Sequence, residues 1–96
     1  RDRTWQKRNR DRLAKRRREL ETVLGDHGCE VVGGTDLFVL ARHESAPRIA
    51  QTLAEYQILV RTFPGMAEWL RFGIPSGKAI MKRLETALSA VEEATH

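Results

Sequence analysis

The chain has 96 residues, of which 41% are hydrophobic and 31% charged, and its formal net charge at pH 7 is +4. These fractions are typical of a folded globular protein and exclude a disordered chain, while the length allows one small hydrophobic core. No apolar run approaches the roughly 20 residues that span a bilayer, and no apolar h-region follows the basic N-terminus, so neither a membrane protein nor a signal peptide is indicated.

The positive charge is concentrated in the first segment. Residues 1–18 contain ten lysines and arginines against Asp2 and Asp11, a net charge of +8, so the remaining 78 residues sum to −4. Apolar side chains in this region follow the spacing of one helical face, at Trp5, Leu13, Leu20, Val23 and Leu24. We therefore predict a long basic helix from about Asp2 to Leu24, ended by Gly25 and Gly28.

Two short strands and a helix are predicted next. Residues 29–32 and 37–41 are apolar runs separated by Gly33, Gly34 and Thr35, a spacing suited to a hairpin turn or a bulged reversal. Ser45 then precedes a helix of about three turns, with Pro47 in its first turn and Ser45 as its expected cap.

Two further strands and a last helix are predicted in the second half. Residues 58–63 and 68–74 are predicted strands, ended by Pro64 and Pro75 respectively. Ser76 is the expected cap of a last helix, whose apolar stripe is Ile80, Leu84, Leu88 and Val91. The order α-β-β-α-β-β-α predicts an α+β fold, a small and largely antiparallel sheet covered on one face by helices.

A self-contained active site is not indicated. His27, His43 and His96 are scattered, without the i, i+4 spacing that places two imidazoles on one helical face, so no metal site is expected. The single cysteine, Cys29, cannot form an internal disulfide and is expected to be a small buried hydrophobe. A lone cysteine also favours a reducing, cytoplasmic environment.

Two arginines interrupt apolar strands, Arg61 in residues 58–63 and Arg71 in residues 69–75. A planar guanidinium is suited to two-point capture of a carboxylate or phosphate, and an arginine in an apolar strand is costly unless an anion neutralises it. The pattern alone leaves open a plainer interpretation, in which both are solvent-facing strand residues.

Three strings of residues carry a family resemblance. They are GTDLFVL at residues 34–40, ILVRTF at 58–63 and WLRFGIP at 69–75, followed by an amphipathic helix. Their order and spacing resemble the C-terminal small domain of fold-type I pyridoxal-phosphate (PLP) enzymes, in the group that holds threonine-phosphate decarboxylases and histidinol-phosphate aminotransferases. The resemblance covers about residues 12–94, and the LRFGIP string favours the decarboxylase branch of cobalamin biosynthesis.

The resemblance implies roles for both arginines. Arg71 would bind the α-carboxylate of an amino-acid phosphate substrate, and Arg61 would bind the anionic end of that substrate. The Schiff-base lysine, the pyridinium-pairing aspartate and the phosphate-binding loop of the family belong to a large domain, and no segment of this chain resembles them. We therefore expect no catalytic or cofactor-binding residue here, and a fragment that is inactive alone.

These expectations describe residues 1–96 as a single C-terminal domain of a longer, cytoplasmic and homodimeric PLP enzyme. Residues 1–24 would be the helix that connects it to the missing large domain, and residues 29–96 its α+β core. A rival interpretation is a nucleic-acid-binding module, since a basic helix can neutralise phosphates, but no RNP aromatic pair, helix-turn-helix spacing or GXXG loop accompanies it. A free-standing regulatory domain that binds a small ligand is a third interpretation.

Overall fold

The computed structural model describes residues 2–94, with side chains described for residues 7–93. The predicted order of elements is confirmed. Three helices, α1 to α3, and four strands, β1 to β4, run in chain order as α1 Asp2–Asp26, β1 Glu30–Gly34, β2 Phe38–Arg42, α2 Ala46–Glu55, β3 Val60–Phe63, β4 Met66–Gly73 and α3 Lys78–Ala94. No helix within residues 2–94 is long and apolar enough to cross a membrane.

The four strands form one sheet in the order β1-β2-β4-β3, and every neighbouring pair is antiparallel. Because side chains alternate along a strand, each strand gives one set of side chains to each face. Val39 and Ala41 of β2, with Leu70 and Phe72 of β4, point to the face that the helices cover, and all four are buried. The intervening residues lie on the opposite face, which we call the open face.

The core lies between the sheet and the three helices. Leu20, Val23 and Leu24 of α1 pack into it with the apolar stripes of α2 and α3. The remaining buried hydrophobic residues are Cys29, Ala46, Ile49, Leu53, Leu84, Ala87, Leu88 and Val91. Ile80, which the sequence placed on the buried stripe of α3, is instead 37% exposed because it lies in the first turn, at the edge of the core.

Helix α1 extends well beyond this core. Its 25 residues correspond to about 37 Å of helix, and the molecule measures 52 × 28 × 21 Å. Residues 7–12 are exposed, whereas Leu20, Val23 and Leu24 near the other end are buried. Trp5, which the sequence assigned to the apolar face, precedes the residues whose side chains are described. His96 lies outside the described residues.

Local details at element ends differ from the expectations. Ser45 occupies the N-cap position of α2 but makes no side-chain capping bond, because one of the two usual donors is the N–H-lacking Pro47 and the Ser45 backbone is not extended. Gly77, not Ser76, precedes α3, and its carbonyl accepts the first bond, from Met81 N–H at 3.2 Å.

The turn between β1 and β2 also lies later in the sequence than expected. Gly33 and Gly34 belong to β1, where Gly34 pairs with Val39, so residues 35–37 form the connection. Gly34 has φ +157°, and a Cβ there would lie 2.6 Å from the Phe38 carbonyl oxygen. Glycine is therefore required for close approach of the two backbones and not for the turn itself.

Candidate functional site

Arg61 and Arg71 face each other across two neighbouring strands. Strands β3 and β4 pair with Arg61 directly opposite Arg71, and residues in direct register point to the same face of a sheet. Since Leu70 and Phe72 on either side of Arg71 are buried, both guanidinium groups belong to the open face. The two arginines that the sequence singled out separately are thus brought together.

Like charges that are directly opposite each other destabilise a pair of strands. Within residues 7–93, neither guanidinium has a carboxylate in ion-pair contact. Arg61 is exposed and Arg71 is half-buried, so water screens Arg61 more fully than Arg71. An anion bound between these two side chains would relieve their repulsion and satisfy their donors.

A third arginine on the open face shows the alternative arrangement. Arg42 of β2 lies opposite Trp69 of β4 and opposite Glu30 of β1. Its Nη2 is 3.3 Å from the Glu30 carboxylate, so this positive charge is neutralised within the domain. The open face therefore carries one arginine with an internal carboxylate and two without such a partner among residues 7–93.

The Phe38 ring lies beside the Arg71 guanidinium. The Arg71 Cζ lies 5.0 Å from the centroid of the Phe38 ring, within the range of a cation–π interaction. Phe38 lies opposite Gly73 in β4, two residues along the strand from Arg71, so the contact is a diagonal one. The sequence analysis assigned no role to Phe38, although strand alternation against buried Val39 places it on the face of Arg71.

These side chains line a groove of about 590 Å³ on the surface. Leu37 and Leu59, which are 76% and 88% exposed, stand at its sides. Gly73 also lines it, and a Cβ built there would meet no atom within 4 Å. The volume is that of a site for a small molecule, with two cations and an apolar boundary.

Another groove, of about 480 Å³, lies between α1 and α3. Its lining includes Lys15 and Arg18 but also Glu19 and Glu85, so the cations and carboxylates are balanced in number. Such a surface offers no excess charge to hold an anion, so of these two grooves the one on the open face is the better candidate site.

The described histidines and Cys29 do not line the groove on the open face. His27 Nδ1 lies 2.7 Å from a Glu92 carboxylate oxygen, and His43 Nδ1 accepts a hydrogen bond from the Ser45 N–H at 2.9 Å. Cys29 is 4% exposed, and burial together with the nearby Glu92 carboxylate raises the pKa of its thiol to about 11. Among the described residues, no group of three or more potential ligands is placed to hold a metal ion.

The chain's four lysines do not fit the requirement for a cofactor Schiff base. Lys7 and Lys15 of α1, and Lys78 and Lys82 of α3, are all exposed, while such a lysine is desolvated beside its cofactor. The lysines of this chain therefore do not fit the covalent site of PLP. The open-face arginines are suited to binding and orienting an anionic ligand.

Comparison with known proteins identifies two curated relatives. The chain is 38% identical over 80 residues to a threonine-phosphate decarboxylase of Sinorhizobium sp., a match that covers 83% of this chain and 24% of that protein. It is 35% identical over 96 residues to a threonine-phosphate decarboxylase of Pseudomonas aeruginosa strain PAO1, covering 100% of this chain and 29% of that protein. No family model matches the chain.

The chain thus spans about a quarter of the length of these relatives. Their names agree with the branch that the LRFGIP string indicated, so the resemblance to this group of enzymes is confirmed. A match of this extent is also what one small domain of a larger enzyme would give.

Proposed function

We propose that this chain, whose curated relatives are threonine-phosphate decarboxylases, is the small C-terminal domain of a PLP-dependent enzyme and orients the substrate. Residues 1–96 form this domain, with residues 1–24 as the connecting helix and 29–96 as the core. A large domain supplies the PLP site, and two copies of the whole enzyme form a homodimer in the cytoplasm.

The observation that carries this proposal is the pair of facing arginines on the open face. Two like charges in direct register repel each other, and an anion bound between them would offset that repulsion. Arg42, on the same face, has its own carboxylate at 3.3 Å, whereas neither Arg61 nor Arg71 has one within residues 7–93.

An amino-acid phosphate fits the charges of the groove. Arg71 binds the α-carboxylate through its two-point fork, and Arg61 binds the phosphate. Direct cross-strand neighbours have Cβ atoms about 5 Å apart, so both anionic groups of one small substrate are within reach of the pair. PLP, when held by the large domain, supplies the electron sink for breaking a bond at the substrate's α-carbon.

A histidinol-phosphate aminotransferase is the alternative within the same group of enzymes. The two curated relatives favour the decarboxylase, since both carry that name. The product distinguishes these enzymes, because a decarboxylase releases carbon dioxide and an aminotransferase passes the amino group to a keto acid.

The test is Arg71→Lys in the full-length enzyme, assayed with L-threonine O-phosphate. Lysine keeps the charge but loses the guanidinium fork, and a charge-assisted hydrogen bond contributes about 1.5 to 3 kcal/mol. We expect kcat/KM to fall about 10- to 150-fold. Arg42→Lys is the matched control, because it makes the same change on the same face at an arginine that is already paired, and it should leave kcat/KM unchanged.

Circular dichroism and thermal unfolding verify that both variants are folded. An Arg71→Lys enzyme that is folded and retains wild-type kcat/KM would remove the basis for the assignment. Equal losses in Arg71→Lys and Arg42→Lys would also contradict it, because the effect would then belong to the whole face and not to the groove.

A further inference from the structure

We propose that Phe38 is a positioning residue, which holds the Arg71 guanidinium in the orientation that receives the substrate carboxylate. This inference rests on the proposed function of Arg71 and adds a residue to that site. It starts from the 5.0 Å distance between the Arg71 Cζ and the centroid of the Phe38 ring.

The backbone on both sides of this contact is firmly held. Phe38 precedes Val39, and Arg71 lies between Leu70 and Phe72, three side chains that are at most 2% exposed. The register of β2 with β4 sets Phe38 opposite Gly73, so that the ring reaches Arg71 diagonally. The contact is therefore fixed by the central strand pair of the sheet and not by a loop.

Arg71 needs such a support because of its other neighbour. The guanidinium of Arg61, directly across on β3, repels it, and a long side chain has many rotamers through which it can move away. The face of an aromatic ring attracts a cation through its quadrupole. Phe38 thus offsets part of the repulsion from one side and restricts the rotamers of Arg71.

A ring has an advantage over a carboxylate in this role. A carboxylate partner would occupy the guanidinium donors, as Glu30 does at Arg42 at a distance of 3.3 Å, and would compete with the anionic ligand. A phenyl ring holds the cation but carries no strong hydrogen-bond acceptor. The N–H groups of Arg71 therefore stay available for the substrate.

The test uses the full-length enzyme with L-threonine O-phosphate and three substitutions. Phe38→Leu removes the ring and keeps an apolar side chain, and it should raise KM about two- to tenfold with a smaller change in kcat. Phe38→Tyr keeps the ring and should restore KM to within about twofold of wild type. Phe63→Leu, which removes another half-buried phenyl ring outside the groove, is the matched control and should leave KM unchanged.

A double-mutant cycle separates positioning from packing. If Phe38 acts through Arg71, the KM penalty of Phe38→Leu should disappear in an Arg71→Gln background, where no cation remains to be held. A folded Phe38→Leu enzyme with wild-type KM, or a penalty of the same size in both backgrounds, overturns the inference.

Failure of the two proposals can be told apart. If Arg71→Lys lowers kcat/KM but Phe38→Leu leaves KM unchanged, only the positioning role of Phe38 is wrong. If Arg71→Lys has no effect, the function proposed for the groove is wrong, and the role of Phe38 is overturned with it.

Discussion

The thiol of Cys29 has a strongly raised pKa, although this residue takes no part in the candidate site. It lies in the connection between α1 and β1, 4% exposed, among the residues of the core. Transfer of a thiolate into this core is unfavourable, and the Glu92 carboxylate adds a second negative charge nearby. Both effects favour the neutral thiol, with loss of solvation as the larger one.

This raised pKa predicts a loss of stability in alkali. Below pH 9 the thiol is protonated in both states, so its contribution is fully present; between pH 9 and 11 only the unfolded chain releases the proton. The free energy of unfolding should therefore fall by about 2 to 3 kcal/mol from this group as pH rises through that interval. Urea unfolding at pH 8, 9, 10 and 11 measures it.

The matched control is Cys29→Ala, which removes the titrating group while keeping a small apolar side chain. The free energy of unfolding of Cys29→Ala should not show the fall between pH 9 and 11 that the thiol causes. At every pH it should be lower than that of wild type below pH 9, because the sulfur is lost from the core. An identical alkaline slope in Cys29→Ala and wild type would show that other groups cause the loss.

The sequence predicts the candidate residues of the site better than their arrangement. Arg61 and Arg71 stand out because each interrupts an apolar strand, and that signal is local. Their direct pairing depends on the register of β3 with β4, which shifts at an irregularity between Thr62 and Phe63. The contact of Phe38 with Arg71 depends on β2 and β4 being neighbours, which is a property of the whole sheet.

At the scale of elements, α1 and α2 end in the same way. The N–H of Cys29 donates to the Leu24 carbonyl at 2.9 Å, and that of Ile58 to the Leu53 carbonyl at 2.9 Å, the long bond of a Schellman motif. Each motif needs one residue in the left-handed region. Gly28 fills this position after α1 with φ +82°, whereas Gln57 fills it after α2 with φ +63°.

Gln57→Gly should therefore stabilise the chain. Glutamine is strained at positive φ and glycine is not, while the greater entropy of glycine in the unfolded state offsets part of the gain. We expect the free energy of unfolding to rise by about 0.5 to 1 kcal/mol, measured by urea unfolding. Gly28→Ala is the reciprocal variant, and it should destabilise the chain by about 1 kcal/mol.

A Gln57→Gly variant less stable than wild type would show that the Gln57 side chain makes a favourable contribution larger than its backbone strain.

The length and order of the elements follow from the hydrophobic pattern, so the sequence predicts them well. The exact ends do not follow from it: Ser45 and Ser76 have the right residue type for a cap, yet capping also needs a suitable backbone and a free N–H donor.

At the scale of the whole molecule, the uneven distribution of charge along the chain determines how it interacts with polyanions. The first eighteen residues carry a net charge of +8, and residues 7–12 of α1 are exposed. We expect weak binding to DNA or RNA that depends steeply on salt and not on base sequence, because neutralised phosphates release counterions. Fluorescence polarisation with labelled oligonucleotides from 50 to 300 mM NaCl measures it.

Arg12→Glu should weaken this binding further. Arg61→Glu makes the same change of charge on the open face and is the control, so it should weaken binding less. Sequence-selective binding below micromolar concentration at physiological salt would favour the nucleic-acid interpretation over the enzyme domain. The open-face groove would then need another explanation, since α1 lies on the other side of the sheet.

The way α1 is attached has a consequence for local unfolding. Its buried anchors, Leu20, Val23 and Leu24, all lie in its last two turns, while residues 7–12 have no buried side chain. Helical hydrogen bonds that no tertiary contact supports open at little cost in free energy. Amide hydrogen exchange should therefore slow by orders of magnitude along one continuous helix, from near the rate of an unfolded peptide at residues 7–12 to the rate of global unfolding at residues 20–26.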